Sequence, residues 1–205
     1  MGVAIRTASA GDRELVVRLL DQAFLDDPVS RWVFPGDEYR RRTHHRLMAA
    51  FTDVVLAEGR IDVTEDGTAC ALWVSVPAAD DHGQGADQDT GEDDGPARVR
   101  AAVDPENERV ELIGRLAAEI HPSGRAHAYL WMIGVAPEHQ GEGIGTALIA
   151  SVLDRCDREG LPAYLEASNA RSRKLYERLG FEPTDRPLDL PDGPQMWPMW
   201  REPRN

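Results

Sequence analysis

Apolar residues recur along this chain with two periods. Leu15, Val16, Leu19, Leu20, Ala23 and Phe24 follow a spacing near 3.6, which predicts a helix that Ser9 can cap and Asp26-Asp27-Pro28 ends. A short strand, Val3 to Thr7, precedes it. An aromatic loop (Trp32, Phe34, Pro35, Gly36) leads to a second amphipathic helix from about Glu38 to Leu56, Arg-rich at its start. Ile61 to Thr64 and Ala69 to Val76 flank Glu65-Asp66-Gly67, a hairpin signal.

Farther along, Val110, Ile113, Leu116, Ala117 and Ile120 share one face of a helix expected from about Pro105 to Ile120. Ala126 to Val135 is a continuous apolar run, the mark of a strand covered on both faces. A Gly-rich turn and a helix from about Gly143 to Glu159 follow, then a strand from Ala163 to Ala167. A last helix runs from Asn169 to Leu179, where Gly180 stops it. Two strands close the pattern, around Phe181 to Leu188 and Gln195 to Arg201, with the turn Pro191-Asp192-Gly193-Pro194 between them. The order predicts one mixed α/β domain over residues 1–205, without internal repeats.

Composition changes that picture in one place. The chain has 205 residues and a formal charge of −13, and 41% of it is apolar, enough for a hydrophobic core. Residues 80–95 contain seven acidic side chains, four glycines and no Lys or Arg, so more than half of the acidic excess belongs to one segment. Such a stretch buries too little to offset chain entropy and predicts a mobile acidic loop. The acidic balance argues against nucleic-acid and anionic-membrane partners, which need a basic footprint. The amino-terminal residues lack an apolar signal region and no run approaches the ~18 residues of a membrane span, so the expected location is cytoplasmic. Cys70 and Cys156 fit no metal or redox spacing and read as buried free thiols; no metal is expected.

The densest chemistry lies in Val135-Ala136-Pro137-Glu138-His139-Gln140-Gly141-Glu142-Gly143-Ile144-Gly145-Thr146-Ala147-Leu148. A buried strand feeds three glycines that open directly into a helix. Glycines let successive backbone N–H groups converge, and the helix start adds free donors and positive dipole, so the ligand is a pyrophosphate or another anion. The spacing is not GxGxxG, and no Gly-Lys-Ser/Thr occurs, which removes dinucleotide and Walker loops.

Gln140-x-x-Gly143-x-Gly145 resembles the Q/R-x-x-G-x-G/A motif of the GNAT superfamily of acyl-CoA-dependent N-acyltransferases. Asn169 to Phe181 resembles its N-x-x-[AS]-x-x-L-Y-x-x-x-G-F segment, one helix and one strand later. Ala23 to Pro28, Gly134 to Gly141, Leu165 to Ser168 and Pro191 to Pro194 resemble the puromycin N-acetyltransferase-like branch, in which antibiotic resistance is one role. The resemblance implies a central, mostly antiparallel sheet splayed at the cofactor site, with acetyl-CoA as co-substrate and no metal. It implies that backbone N–H groups from Gln140, Gly141, Glu142, Gly143, Ile144, Gly145 and Thr146 hold the pyrophosphate. The strand edge Ile133 to Val135 would pair with the pantetheine arm, and the Val135 N–H would bind the thioester oxygen. Asn169 and Ser172 would face the cofactor arm, and Tyr176 would protonate the departing thiolate. Arg171, Arg173 and Lys174 are phosphate partners or simply a basic helix face. Glu142 departs from the often basic residue of this loop; its side chain is expected to face solvent.

The amine must also lose a proton. Asp27, Glu166, His127 or a water relay can take it. The aromatics Trp32, Phe34, Tyr129, Trp131, Trp197 and Trp200 are expected near the acceptor cleft. These features point to transfer onto a small-molecule amine (an antibiotic, amino acid or xenobiotic) by direct attack, in a monomer or homodimer. A protein or peptide N-acetyltransferase, which needs an open groove, and a non-catalytic acyl-CoA-binding module are the other readings.

Overall fold

A computed structural model describes residues 2–78 and 94–204. The acidic loop expected at residues 80–95 falls outside them except at its end, where Asp94 and Gly95 start a helix. In chain order the elements are β1 (Ile5–Thr7), α1 (Arg13–Phe24), α2 (Pro28–Val33), α3 (Asp37–Glu58), β2 (Arg60–Thr64), β3 (Ala69–Val76), α4 (Gly95–Val103) and α5 (Glu108–Ile120). Then follow β4 (His127–Val135), α6 (Ile144–Glu159), β5 (Ala163–Ala167), α7 (Ala170–Arg178), β6 (Glu182–Pro183), β7 (Leu188–Asp189) and β8 (Gln195–Arg201). Short 3₁₀ turns precede α1 at Ala10–Asp12 and follow β4 at Pro137–His139.

Four expectations need correction. The aromatic loop after Pro28 is in its first half a helix: the Asp27 carboxylate accepts the Val29 N–H and Pro28 occupies the first turn, a start signal overshadowed by the aromatics. α4 was not expected, because the acidic composition runs up to Asp94; yet Asp94 caps this helix through the Ala97 N–H, with Pro96 in its first turn. Pro105 to Asn107 lies before α5, which starts only once the Asn107 side chain accepts the Arg109 N–H. The strand expected from Phe181 to Leu188 is two short pieces, β6 and β7, both paired with β8.

The strands pair in the order β1-β2-β3-β4-β5-β8-β6, with β7 also on β8. Every pairing is antiparallel except β4 with β5. One face packs on α1, α3 and their neighbours through Val16, Leu20, Leu47, Val55 and Leu72. The other packs on α6 and α7 through Leu130, Leu148, Ile149, Leu165, Phe181 and Met199. Gly134 is where α1 crosses β4: an added Cβ would lie 3.3 Å from the Leu19 carbonyl and 3.4 Å from the Ala23 Cβ. Cys70 and Cys156 are free and buried, and burial pushes the Cys70 thiol up to about 12. No helix among the described residues is long and apolar enough to cross a membrane.

The carboxy-terminal half is tied together by one ion pair. Buried Arg201 on β8 donates from both terminal nitrogens to Asp157 on α6, at 2.7 and 2.8 Å, and from Nε to the Leu179 carbonyl. These charged hydrogen bonds hold the Asp157 carboxyl down at about 2. The native carboxyl is thus the stronger acid, so its contribution is present above the ordinary carboxylate range and is lost as pH falls through about 2. Arg201→Ala is expected to cost about 2–3 kcal/mol near neutral pH. Urea denaturation checks this; an unshifted midpoint would show the tie to be idle.

Candidate active site

β4 and β5 share a short root. They pair only at Ala128↔Ala163 and Tyr129↔Tyr164, with the Ala128 N–H also donating to the Pro162 carbonyl. Just beyond, the register between β3 and β4 slips between Leu72 and Trp73, leaving Trp131 as an extra residue in β4. Past this bulge β4 has no strand partner on its β5 side among the described residues. The Ala136 N–H is spent on the Thr68 carbonyl of the β3 side, so strand alternation turns the Val135 N–H and C=O into the gap. The Gln140 Nε2 accordingly reaches the Val135 carbonyl from that side at 3.2 Å.

The gap opens into a cavity of about 350 Å³. Ile133, Val135, Gln140, Gly141, Gly143, Ile144, Gly145, Thr146, Asn169, Ser172 and Tyr176 line it, so the structure gathers nearly every residue expected to hold the cofactor. Glu142 is the exception. Its carboxylate meets His139 at 3.3 Å and is more than half exposed, facing solvent. Gly141 and Gly143 have φ of +91° and +84°, where an added Cβ would meet nothing within 4 Å. The loop thus turns through backbone conformations that side chains resist, and α6 begins at the cavity wall with its first N–H groups free of side-chain caps. A pyrophosphate-bearing thioester fits this cradle: bare backbone, a helix start and an unpaired strand edge.

Of the basic residues of α7, Arg171 lines the cavity and donates to the Gln140 side chain at 3.3 Å. Arg173 turns away to Glu177 and lies over the Trp197 ring. Arg178, His139 and Ser168 also line the cavity without having been singled out. Ser168 ends the Leu165 to Ser168 motif, which was its only signal.

Tyr176 is buried yet lines the cavity, and its phenol has no protein hydrogen bond among the described residues. Burial, with the Asp27 carboxylate adding to it, pushes its pKa up, so it stays protonated. Asn169 caps α7 by accepting the Ser172 N–H at 2.9 Å, while its amide nitrogen donates to Asp27 Oδ2 at 2.9 Å. Ser168 donates to the same oxygen at 2.8 Å, and Asp27 Oδ1 takes the Val29 N–H. Asp27 therefore has both oxygens engaged, joining α2 to the end of β5 and the start of α7.

Glu166 is not among the residues lining this cavity; it stands on β5 beside the root of the gap. The Tyr129 hydroxyl donates to its Oε2 at 2.7 Å, while Oε1 is buried without a hydrogen-bond partner among the described residues. The Tyr164 hydroxyl is equally unpartnered and lies close to it without reaching hydrogen-bond geometry. Burial raises the Glu166 carboxyl to about 7, against the opposing pull of these two hydroxyls. His127 is fully buried and donates Nδ1–H to the Arg125 carbonyl at 2.8 Å. Around them stand Tyr129, Trp131, Trp200 and His121 in ring contact, with Phe51 against Trp131. Trp32 and Phe34 belong instead to the hydrophobic core, the Trp32 indole donating to the Pro191 carbonyl at 2.8 Å. His121 was not expected here, for nothing in the local pattern links the end of α5 to β4.

The profile of the acetyltransferase (GNAT) family matches residues 73–181. An uncharacterised N-acetyltransferase of Schizosaccharomyces pombe is 27% identical over 193 residues, which is 87% of this chain and 74% of that protein. A mycothiol acetyltransferase of an Arthrobacter species is 34% identical over 106 residues, 49% of this chain, and the match spans only 31% of that protein. Among solved structures, a Corynebacterium glutamicum protein described as histone acetyltransferase HPA2 and related acetyltransferase has a TM-score of 0.72 at 25% identity. That alignment covers 100% of this chain and 98% of the other.

Proposed function

This chain belongs to the GNAT family of acetyltransferases, and from that membership we propose that it acetylates the primary amine of a small molecule by direct attack on acetyl-CoA in a ternary complex. The observation that carries the reading is the gap between β4 and β5, with a free phenol on one side and a raised carboxylate beside its root. The nearly buried side chain of Glu166 and its ring of aromatics support a compact amine over a peptide, which needs an open groove. An antibiotic, amino acid or xenobiotic amine is the class of acceptor we propose. We place the activity in the cytoplasm, in keeping with two free buried thiols.

Bound acetyl-CoA supplies the acyl group and a thiol leaving group; the other requirements fall to this chain. The loop from Gly141 to Thr146 and the start of α6 hold the pyrophosphate. The edge Ile133 to Val135 aligns the arm, and the Val135 N–H is aimed to bind the carbonyl oxygen as charge grows on it. Tyr176 keeps its proton at neutral pH and gives it to the departing sulfur. Glu166, ionised above about 7, takes the proton of the amine. Asp27 holds the acceptor-side helix α2 against the cofactor side.

A thiol-release assay with acetyl-CoA against aminonucleosides, amino acids, aminoglycosides and peptides tests the reading. Turnover with peptides alone would overturn the small-molecule assignment, and acetyl-CoA binding without any turnover would leave a binding module. Tyr176→Phe is expected to lower kcat by about 10²-fold. Acetyl-CoA affinity and stability should barely change, because the phenol makes no hydrogen bond within the protein. Unchanged turnover would remove Tyr176 from the acid role.

A further inference from the structure

Beside Glu166 lie two titratable groups that the reaction above leaves unused, His121 and His127. Their hydrogen bonds fix where the protons are. The His127 Nδ1 lies 2.8 Å from the Arg125 carbonyl, which can only accept, so Nδ1 carries the proton and Nε2 of the neutral ring is an acceptor. His121 Nε2 lies 3.1 Å from that acceptor and must donate to it. In the neutral ring, the remaining His121 nitrogen, Nδ1, then holds a lone pair. It lies 4.0 Å from Glu166 Oε1, the buried oxygen without a partner.

Two acceptors facing each other in a buried site repel unless a proton lies between them. We infer that Glu166 and His121 share one proton and that His121 is the exit through which it reaches solvent, with His127 as the positioning residue that keeps the His121 lone pair on Glu166. This rests on the reading of Glu166 as the group that deprotonates the amine. Glu166 gains the proton from nitrogen and passes one from Oε1 to His121 Nδ1. The imidazolium then loses one proton to water, and the bond to His127 restores the Nε2–H form. One proton crosses from amine to water, and no electrons are exchanged. The His121 side chain is 22% exposed whereas that of Glu166 is 5%, so the histidine is the member of the pair in contact with water. A movement of about 1 Å brings the 4.0 Å separation to hydrogen-bond length.

Every group that faces the pair is consistent with this. Tyr129 from β4 donates to the other Glu166 oxygen, and Tyr164 from β5 lies beside it; burial pushes both phenols up, so both stay neutral. Burial and His127 lower His121 to about 4, so its imidazolium forms only in passing at neutral pH. Burial lowers His127 as well, which keeps it neutral. The guanidinium of Arg125 is committed to Glu202 across the Trp200 ring.

Histidine-selective ¹⁵N NMR of the full chain across about pH 5–9 tests the pair without any acceptor amine. Expected are an Nε2–H tautomer at His121, an Nδ1–H tautomer at His127, and a step in the His121 Nδ1 shift near pH 7 that vanishes in Glu166→Gln. An Nδ1–H tautomer at His121, or a flat Nδ1 shift in the wild type, would overturn the inference. In turnover, His127→Phe frees the His121 tautomer to donate to the carboxylate, moving the acid limb of kcat/KM down by about one pH unit. A mere loss of packing lowers the whole profile without moving that limb, and this outcome also counts against it. If Glu166→Gln leaves turnover intact, the proton-acceptor reading of Glu166 fails, while the NMR step still decides whether the proton is shared.

Discussion

Glu166→Gln is expected to lower kcat by about 10²–10⁴-fold and to leave acetyl-CoA affinity as it is. Gln keeps the size of the side chain and an oxygen for the Tyr129 hydroxyl, but it cannot take a proton. The same change should stabilise the protein at alkaline pH. The native carboxyl, raised to about 7, holds its proton more tightly than the unfolded chain does. Its contribution is therefore intact below the ordinary Glu range and lost as pH rises through about 7, a difference on the order of 3 kcal/mol by pH 8. The amide never ionises, so it escapes that loss. Activity and Tm measured together at pH 8 give the outcome: activity down and Tm up. A fall in both would assign Glu166 to packing instead of proton transfer. For the same reason kcat/KM of the wild type should climb through pH 7 and then level off.

Gly143→Val is expected to weaken acetyl-CoA binding by about 10²-fold or more, through displacement of the backbone donors that face the anion. At φ +84° a β-branched residue is strained by roughly 1–2 kcal/mol, so the loop must shift or the strain must be borne. The added side chain meets no protein atom near its Cβ, which leaves it free to project into the space the ligand needs. Titration calorimetry with CoA measures the loss, and circular dichroism confirms that the fold persists. Wild-type affinity would refute the loop as an anion cradle.

The loop of Gly141 to Gly145 was legible in the sequence because its information is local: a buried strand, glycines at fixed spacing and a helix start all lie within a dozen residues. Asn169 and Tyr176 were legible for the same reason, one capping a helix and the other two turns into it. Asp27 was legible as a helix end and an acceptor-side residue, but its hydrogen bonds to Ser168 and Asn169 join parts of the chain far apart in sequence. No period reports contacts of that range. α2 and α4 each carried a readable start, an Asp cap followed by Pro in the first turn, and each was masked by composition, aromatic in one case and acidic in the other. The meeting of His121 with Glu166 depends on where α5 ends relative to β4 and β5, which only packing decides.

The short root shared by β4 and β5 has a consequence for solubility. A sheet normally hides unpaired strand edges at its margins, with charge, bends or brevity, because an open edge templates association with other chains. Here β4 carries an unpaired edge in the middle of the sheet. Its protection is topological: paired strand closes one end, and the start of α6 and the Asp27–Asn169 tie bound the cavity beside it. An invading strand would have to enter between β4 and β5 where α6 and this tie already bound the space, whereas a thin, flexible arm can. The opening that admits a ligand is thereby also the device that keeps the molecule from adding strands to itself.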